Sequence, residues 1–195
     1  MAVEITETMQ VDVPLAIAWA FITDARRVAG CMPGAEIVEE IDARTFHGKA
    51  KVKLGAITTA YKGQVVFSHI DPAAHTMRIE GEGRETGGGT AKGSLDVELS
   101  ETAEGGTELR FDVRVDLTGK VMQMGRGMIK GVSAQLFKQF SSNAKTQMSA
   151  EASTDAVTAP APEAEEALAV GALLGRTLWQ MVVNFFRRLF GKSAR

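Results

Sequence analysis

The stretch GKVMQMGRGMIKGVSAQLFKQFSSNAKTQM, residues 119–148, decides the fold, because it has the pattern of one long amphipathic helix. Apolar residues that recur every three or four positions form a single stripe along a helix. The stripe here consists of Val121, Met124, Met128, Ile129, Val132, Leu136, Phe137, Phe140 and Ala144. We expect this helix to bury its stripe against the segments that precede it.

The two halves of this predicted helix differ in composition. The first half carries Gly119, Gly125, Gly127 and Gly131 among several methionines. Each interior glycine lowers helix stability by about 0.5 to 1 kcal/mol relative to alanine. Two interpretations stay open: a core helix with a weak first turn, or a stiff C-terminal half that clamps the fold while a methionine-lined first half leaves room for an apolar ligand.

The upstream chain predicts one strand, two short helices and six further strands. Pro14 ends the first strand, residues 15–22 form an apolar helix, and Asp24 is a plausible cap for the next. After a turn at residues 30–34, strands are predicted over 36–41, 45–54, 59–70, 76–84, 89–99 and 107–117. This order predicts an α+β fold in which a curved antiparallel sheet of about seven strands wraps around the long C-terminal helix.

Alternation within the strands predicts which side chains face the helix. Charged residues such as Lys49, Lys51 and Lys53 take the phase that faces water. The opposite phase is apolar but includes seven positions with little or no side chain: Gly48, Ala50, Gly63, Gly81, Gly83, Ala91 and Gly93. Because these positions fall on neighbouring strands, they predict an apolar pocket between sheet and helix. The alternative is that strand glycines mark bulges and bends.

We predict the ligand-binding residues from the inward strand phase and from the facing helices. They are Trp19, Phe46, Gly48, Tyr61, Gly63, Val65, Phe67, Met77, Gly81, Gly93, Phe111, Met124, Met128, Ile129 and Val132.

No catalytic or metal-binding motif is evident in the sequence. Three histidines are scattered without metal-ligand spacing: His47, His69 and His75. Cys31 is interpreted as an inert loop thiol, and Arg84 and Glu85 as solvated charges at a strand end. With no phosphate loop and no basic patch in the folded body, we expect neither a nucleotide nor a nucleic acid as partner.

Charge and cysteine content indicate the compartment. The chain of 195 residues carries 22 basic and 24 acidic groups, with a single cysteine. A lone cysteine fits a reducing compartment, and the N-terminus lacks a cationic and apolar signal segment. We therefore expect a cytoplasmic protein.

The C-terminal region predicts a linker and a membrane-binding tail after a body at residues 1–150. Residues 151–166 hold five acids, no base and many alanines, and residues 167–195 hold five bases and no acid. The tail has the pattern of a surface-lying amphipathic helix. The predicted membrane-binding residues are Arg176, Trp179, Phe185, Phe186, Arg187, Arg188, Phe190 and Lys192. Alternatively, the tail docks on a partner protein or on the pocket mouth.

Two motifs resemble a known family: CMPGAE at residues 31–36 and GRGMI at residues 125–129. With the element order, they make residues 2–150 similar to the carbon monoxide dehydrogenase CoxG family of the START/Bet v 1-like (SRPBCC) superfamily, whose members have the helix-grip fold. The resemblance implies a non-catalytic accessory protein that recruits a molybdenum hydroxylase, such as CO dehydrogenase, to the inner face of the cytoplasmic membrane for electron transfer to the quinone pool.

The ligand follows from the same resemblance. Helix-grip relatives hold lipids, sterols or polyketides, and a respiratory quinone, menaquinone or ubiquinone, would connect the pocket to the enzyme. The Tyr61 hydroxyl would then hydrogen-bond a quinone carbonyl. Two alternatives remain: an adaptor without bound ligand, and an enzyme of the polyketide cyclase kind.

Overall fold

The computed structural model describes residues 2–54 and 57–158, which form seven strands, three α-helices and one 3₁₀ helix. In chain order the elements are β1 (Ala2–Val11), α1 (Leu15–Ile22), α2 (Ala25–Cys31), β2 (Ala35–Asp42), β3 (Thr45–Leu54), β4 (Ile57–Asp71), β5 (Thr76–Glu85), β6 (Thr90–Glu101), β7 (Thr107–Leu117), the 3₁₀ helix Lys120–Met124 and α3 (Gly125–Thr158).

The strands form a single antiparallel sheet in the order β1-β7-β6-β5-β4-β3-β2. Hairpin connections join consecutive strands from β2 to β7, and β1 closes against β7, with Met9 opposite Leu109. The predicted α+β class, with a seven-stranded antiparallel sheet and a long C-terminal helix, is therefore confirmed.

The start of the long helix differs from the prediction. Gly119 and Gly125 have positive φ angles of 83° and 76°, which side-chain-bearing residues rarely adopt. Between them the chain forms the 3₁₀ helix, and α3 begins only at Gly125. The predicted helix from residue 119 is therefore wrong in its first turn, because two glycines interrupt the helical backbone.

The end of the long helix lies beyond the predicted body. α3 continues to Thr158, eight residues into the predicted linker. Ala152 packs against the core, and Glu151 Oε2 lies 2.8 Å from Arg27 Nη1 on α2. Every fourth residue from Phe140 to Ala152 faces the core, so the apolar stripe itself carries the helix past residue 150.

Two hydrophobic clusters hold the sheet and helices together. The main cluster joins α1, α2 and the C-terminal half of α3 to the sheet, and contains Met9, Val11, Val13, Ala18, Phe21, Ile22, Cys31, Phe46, Phe67, Met77, Val97, Leu99, Leu109, Phe111, Phe140, Ala144 and Met148. The second cluster joins the sheet to the 3₁₀ helix and the start of α3, and contains Val3, Leu117, Val121 and Ile129.

Candidate functional site

A band of small residues crosses the sheet between the two hydrophobic clusters. On β3, Phe46 belongs to the main cluster and Val52 packs on the second, with Gly48 and Ala50 between them. The same change from large to small residues occurs on β4, β5 and β6. Gly48, Gly63, Gly83 and Ala91 are register partners across four strands, and Gly81 pairs with Gly93 in the adjacent row.

The glycines of this small-residue band have two different physical roles. A Cβ atom on Gly63 would overlap the Glu82 carbonyl oxygen, and one on Gly93 would overlap the Arg114 carbonyl oxygen. These two glycines allow neighbouring backbones to approach closely, as sheet curvature requires. In contrast, a Cβ on Gly81 would meet only the Gln64 carbonyl oxygen, at 3.8 Å. The curvature interpretation therefore applies to Gly63 and Gly93, and the pocket interpretation applies to Gly81.

A cavity of about 560 Å³ lies over this band on the inner face of the sheet. Its wall is formed by α2, β2 and the strands from β3 to β7. Val65 on this wall is 39% exposed and Met32 at its rim is 37% exposed, so the cavity leaves large apolar side chains uncovered. Exposed apolar surface in a concave site is typical of a site for an apolar ligand.

Three buried oxygen atoms without hydrogen-bond partners lie at one end of the inner face: Thr59 Oγ1, Tyr61 Oη and Glu85 Oε2. Tyr61 lines the cavity and pairs in register with Glu85, and Thr59 precedes it by two residues on the same face. Burial raises the pKa of the Tyr61 phenol above its ordinary value; the neighbouring Thr59 hydroxyl opposes the rise, and the charge of Glu85 adds to it. The phenol therefore stays protonated at neutral pH.

The prediction that Glu85 is a solvated charge is wrong. Glu85 has the same strand phase as Gly81 and Gly83, and its carboxylate oxygen Oε2 is buried. Its carboxylate lies under the turn between β5 and β6, where a Cβ on Gly89 would approach Glu85 Oε2 to 2.8 Å.

A larger depression of about 770 Å³ lies on the opposite, outer face of the sheet. Its side chains are mainly charged or polar, and include His47, Lys49, Lys62, Gln64, Glu82, Arg84 and Lys92. Hydrated charges such as these offer an apolar molecule no favourable surface. We therefore assign the candidate site to the apolar cavity on the inner face. Within the described residues, no group of histidine, cysteine or acidic side chains is arranged to hold a metal ion.

Comparison with protein families identifies the chain. Residues 8–149 match the family model that describes the CoxG subunit of carbon monoxide dehydrogenase. The chain belongs to the CoxG family. The predicted family resemblance is thereby confirmed, and a CoxG protein is by its description a subunit of CO dehydrogenase, which makes an accessory role the expectation for this chain. No curated protein matches the sequence.

Solved structures support the fold of this CoxG-family chain. A conserved protein from Geobacillus kaustophilus has a TM-score of 0.70 at 16% identity, covering 76% of this chain and 97% of its own. The Zhui aromatase/cyclase from Streptomyces sp. R1128 has a TM-score of 0.57 at 13% identity, with coverages of 76% and 94%. A START superfamily protein from Mycobacterium smegmatis has a TM-score of 0.51 at 12% identity, with coverages of 76% and 98%. At these identities the likeness shows a START-like fold alone.

The structure brings eight of the predicted ligand-binding residues of this CoxG-family chain to the cavity wall. They are Phe46, Gly48, Tyr61, Gly63, Val65, Phe67, Gly81 and Gly93. All eight lie on β3 to β6 in the inward phase, so the alternation of side chains along the strands predicted their position. Their contact with a ligand remains a prediction.

The other seven predicted residues do not line the cavity as described. Trp19 packs edge-on against His75 at 5.4 Å, and Met77 and Phe111 are buried in the main cluster. On α3, Ile129 and Val132 pack in the second cluster, Met128 is 49% exposed, and the Met124 side chain lies outside the described part. The described start of α3 packs in the second cluster, which also includes Ala91 of the small-residue band, so contact of α3 with a ligand remains a prediction.

Sequence reasoning missed the contribution of α2 to the cavity. Ala25, Val28 and Ala29 line it, together with Met32 in the following turn and Ile37 on β2. The spacing of three and four residues between the α2 positions marks one helical face and was the available signal. The predicted membrane-binding residues, from Arg176 to Lys192, lie outside the described residues.

Proposed function

We propose that this CoxG-family protein is a non-enzymatic carrier of a hydrophobic ligand, a respiratory quinone such as menaquinone, that serves a molybdenum hydroxylase of the CO dehydrogenase type. The observation that supports the carrier function is the apolar cavity of about 560 Å³, which the protein's own side chains leave open over the small-residue band. Cavities of roughly 300 to 1,000 Å³ are the usual size for small-molecule sites.

The energetics of the cavity favour an apolar guest. Well-packed interiors tolerate few voids larger than a water molecule, so an open apolar space is a cost that a ligand can offset. Each ligand methylene moved from water into such a wall contributes about 0.8 kcal/mol. The Tyr61 phenol at one end of the cavity supplies a hydrogen-bond donor for a polar head group.

An extraction assay tests the carrier function. Full-length protein is incubated with vesicles that contain menaquinone, the vesicles are removed by flotation, and quinone in the protein fraction is measured by chromatography. We expect quinone to leave the vesicles in proportion to protein added. Serum albumin at the same concentration measures non-specific extraction, and quinone transfer no greater than that level would contradict the carrier function.

We further propose that the basic tail, residues 167–195, recruits the protein and its hydroxylase to the anionic inner face of the cytoplasmic membrane. Each basic residue near an anionic leaflet contributes about 1 kcal/mol, and the tail carries five such residues and four aromatic ones. No helix within residues 2–54 and 57–158 is long and apolar enough to cross a membrane.

Sedimentation with anionic vesicles tests the recruitment. The full-length chain is compared with a chain stopped after Thr158, which retains α3 and its contacts through Glu151 and Ala152. We expect only the full-length chain to sediment, with less binding at high salt because the attraction is electrostatic. Equal sedimentation of the two chains would refute the role of the tail.

A reconstituted electron-transfer assay tests the partner. Purified CO dehydrogenase, CO and quinone-containing vesicles are mixed with or without the protein. Faster quinone reduction with the protein supports the accessory role, and an unchanged rate over the whole protein concentration range argues against it.

A further inference from the structure

Three buried oxygen atoms on the inner face, one of them on the cavity-lining Tyr61, lack a well-formed hydrogen bond to the described chain. Thr59 is only 3% exposed, and Thr59 Oγ1, Tyr61 Oη and Glu85 Oε2 have no hydrogen bond of good geometry, although the Thr59 and Tyr61 hydroxyls are close enough to interact. Buried polar atoms in native proteins are nearly always hydrogen-bonded, so an unpartnered group indicates an additional binding partner. Three such atoms at neighbouring strand positions indicate a shared binding partner more strongly than a single atom would.

The sheet register brings these three side chains together. Thr59 and Tyr61 share the inward phase of β4, and Tyr61 is the register partner of Glu85 on β5. Tyr61 lines the apolar cavity, and the charge of Glu85 affects the ionisation of its phenol. Tyr61 is the member of this group that lines the cavity, and through it the head group of an apolar molecule lying over the band would reach the polar group.

We propose that Thr59, Tyr61 and Glu85 form a polar subsite that binds the hydroxyl group of a lipophilic phenol or hydroquinone. This inference rests on the proposed carrier function and adds the chemical class of the head group. The proposed subsite determines whether the protein binds the reduced or the oxidised form of the ligand more tightly.

Hydrogen-bond chemistry favours a hydroxyl over a carbonyl at this subsite. An ionised carboxylate only accepts hydrogen bonds, whereas the Tyr61 and Thr59 hydroxyls both donate and accept. A ligand hydroxyl can donate to Glu85 and accept from Tyr61, so it satisfies both sides. A ligand carbonyl only accepts; it would satisfy Tyr61 but leave the Glu85 carboxylate unpartnered and facing another electron-rich oxygen. The subsite should therefore bind the reduced, hydroxyl-bearing form of a quinone more tightly than the oxidised form.

A matched pair of probes tests the head-group preference. 4-Decylphenol and 4-decylanisole have the same tail and ring and differ in whether the oxygen carries a proton. Their affinities for the full-length protein are measured by displacement of a fluorescent lipophilic dye. We expect the phenol to bind about tenfold more tightly than the methyl ether, the effect of one hydrogen bond to a charged group.

Two variants connect the preference to named side chains. Glu85→Met and Tyr61→Phe remove the polar atoms while keeping side-chain size, and both should reduce the preference for the phenol to about threefold or less. Replacing unpartnered buried polar groups by apolar ones of similar shape is nearly neutral for folding, which thermal unfolding verifies. The matched control is Val65→Ala on the apolar wall, which should weaken both probes by the same factor and keep the ratio unchanged.

The outcomes separate this inference from the carrier function. Tighter phenol binding that is lost in Glu85→Met supports the subsite. Equal affinity of the two probes for the unmodified protein overturns the subsite and leaves the carrier function standing. Failure of both probes to bind overturns the carrier function as well. A phenol preference that survives in both variants shows that other atoms bind the head group and also overturns the assignment.

Discussion

Gly81 offers the sharpest test of the cavity, because its replacement should have opposite effects on stability and on ligand binding. It lies on β5 between the register partners Val65 and Gly93, and its backbone does not have a positive φ angle. An added Cβ would meet only the Gln64 carbonyl oxygen, at an ordinary contact distance of 3.8 Å. Gly81→Leu should therefore place four carbon atoms in the cavity without moving the backbone.

The expected changes in stability and in ligand affinity follow from the apolar surface that the new side chain buries. Burying a leucine side chain contributes about 1.5 to 3 kcal/mol, and removal of a strand glycine about 0.5 to 1 kcal/mol. Since the cavity is open to solvent and burial is incomplete, we expect stability to rise by about 1 to 3 kcal/mol. The new side chain also displaces about four methylene-sized groups of the guest, at about 0.8 kcal/mol each. Ligand affinity should fall by about 3 kcal/mol, or roughly 150-fold.

Urea unfolding and dye displacement measure the two effects. The matched control is Gly63→Ala on β4, where the new Cβ would overlap the Glu82 carbonyl oxygen. This smaller substitution should lower stability by about 1 to 3 kcal/mol, as overpacking does. A Gly81→Leu protein that is less stable than the unmodified chain, with unchanged ligand affinity, would refute the inference that Gly81 leaves space for a guest.

Three further predictions concern the packing of α2 against α3. Asn143→Ala removes the hydrogen bond, 3.0 Å long, that Asn143 Nδ2 donates to the Cys31 carbonyl oxygen. This change should lower the free energy of unfolding by about 0.5 to 1.5 kcal/mol. An unchanged free energy of unfolding in urea would contradict this prediction. A double-mutant cycle on Arg27 and Glu151, whose side chains are 43% and 36% exposed, should give a coupling of about 0.2 to 1 kcal/mol, and zero coupling would argue against helix at residue 151 in solution. Burial raises the pKa of the Cys31 thiol, so iodoacetamide at pH 8 should alkylate it slowly in the native protein and rapidly in urea; equal rates would contradict its burial.

Strand alternation made the sheet predictable. β3, β5, β6 and β7 have charged and apolar residues in opposite phases, and turn residues such as Asp42 and Pro72 separate neighbouring strands. The strand phase also predicted which glycines share the inner face, because side-chain direction has a period of two residues. Eight residues of the cavity wall followed from this pattern alone.

The path of the long helix was not predictable from its stripe. The pattern shows which side chains of a helix are buried, but not which strands they contact. Ile129 could face either the small-residue band or the sheet edge at β1, and in the structure it belongs to a cluster that includes both Val3 of β1 and Ala91 of the band. Helix propensity alone does not predict the 3₁₀ turn, because it does not indicate that Gly119 and Gly125 have positive φ angles.

Two further predictions, for Ala152 and Glu85, failed because local composition was followed where it disagreed with the periodicity. Ala152 continues the four-residue spacing of the α3 stripe, although its surroundings have the composition of a linker. Glu85 continues the inward phase of Gly81 and Gly83, although a carboxylate at a strand end usually faces water. For both residues, the periodicity of the sequence was a better guide than its local composition.

The most direct test of ligand carriage is native mass spectrometry of the full-length protein, purified without detergent from its native host cells, followed by solvent extraction and identification of the released molecule. We expect a mass increment that matches one quinone-type lipid, lost in Gly81→Leu protein prepared in the same way. Protein that carries no lipid under these conditions, and that takes up none from vesicles containing quinone, would contradict the claim that the cavity holds a hydrophobic ligand.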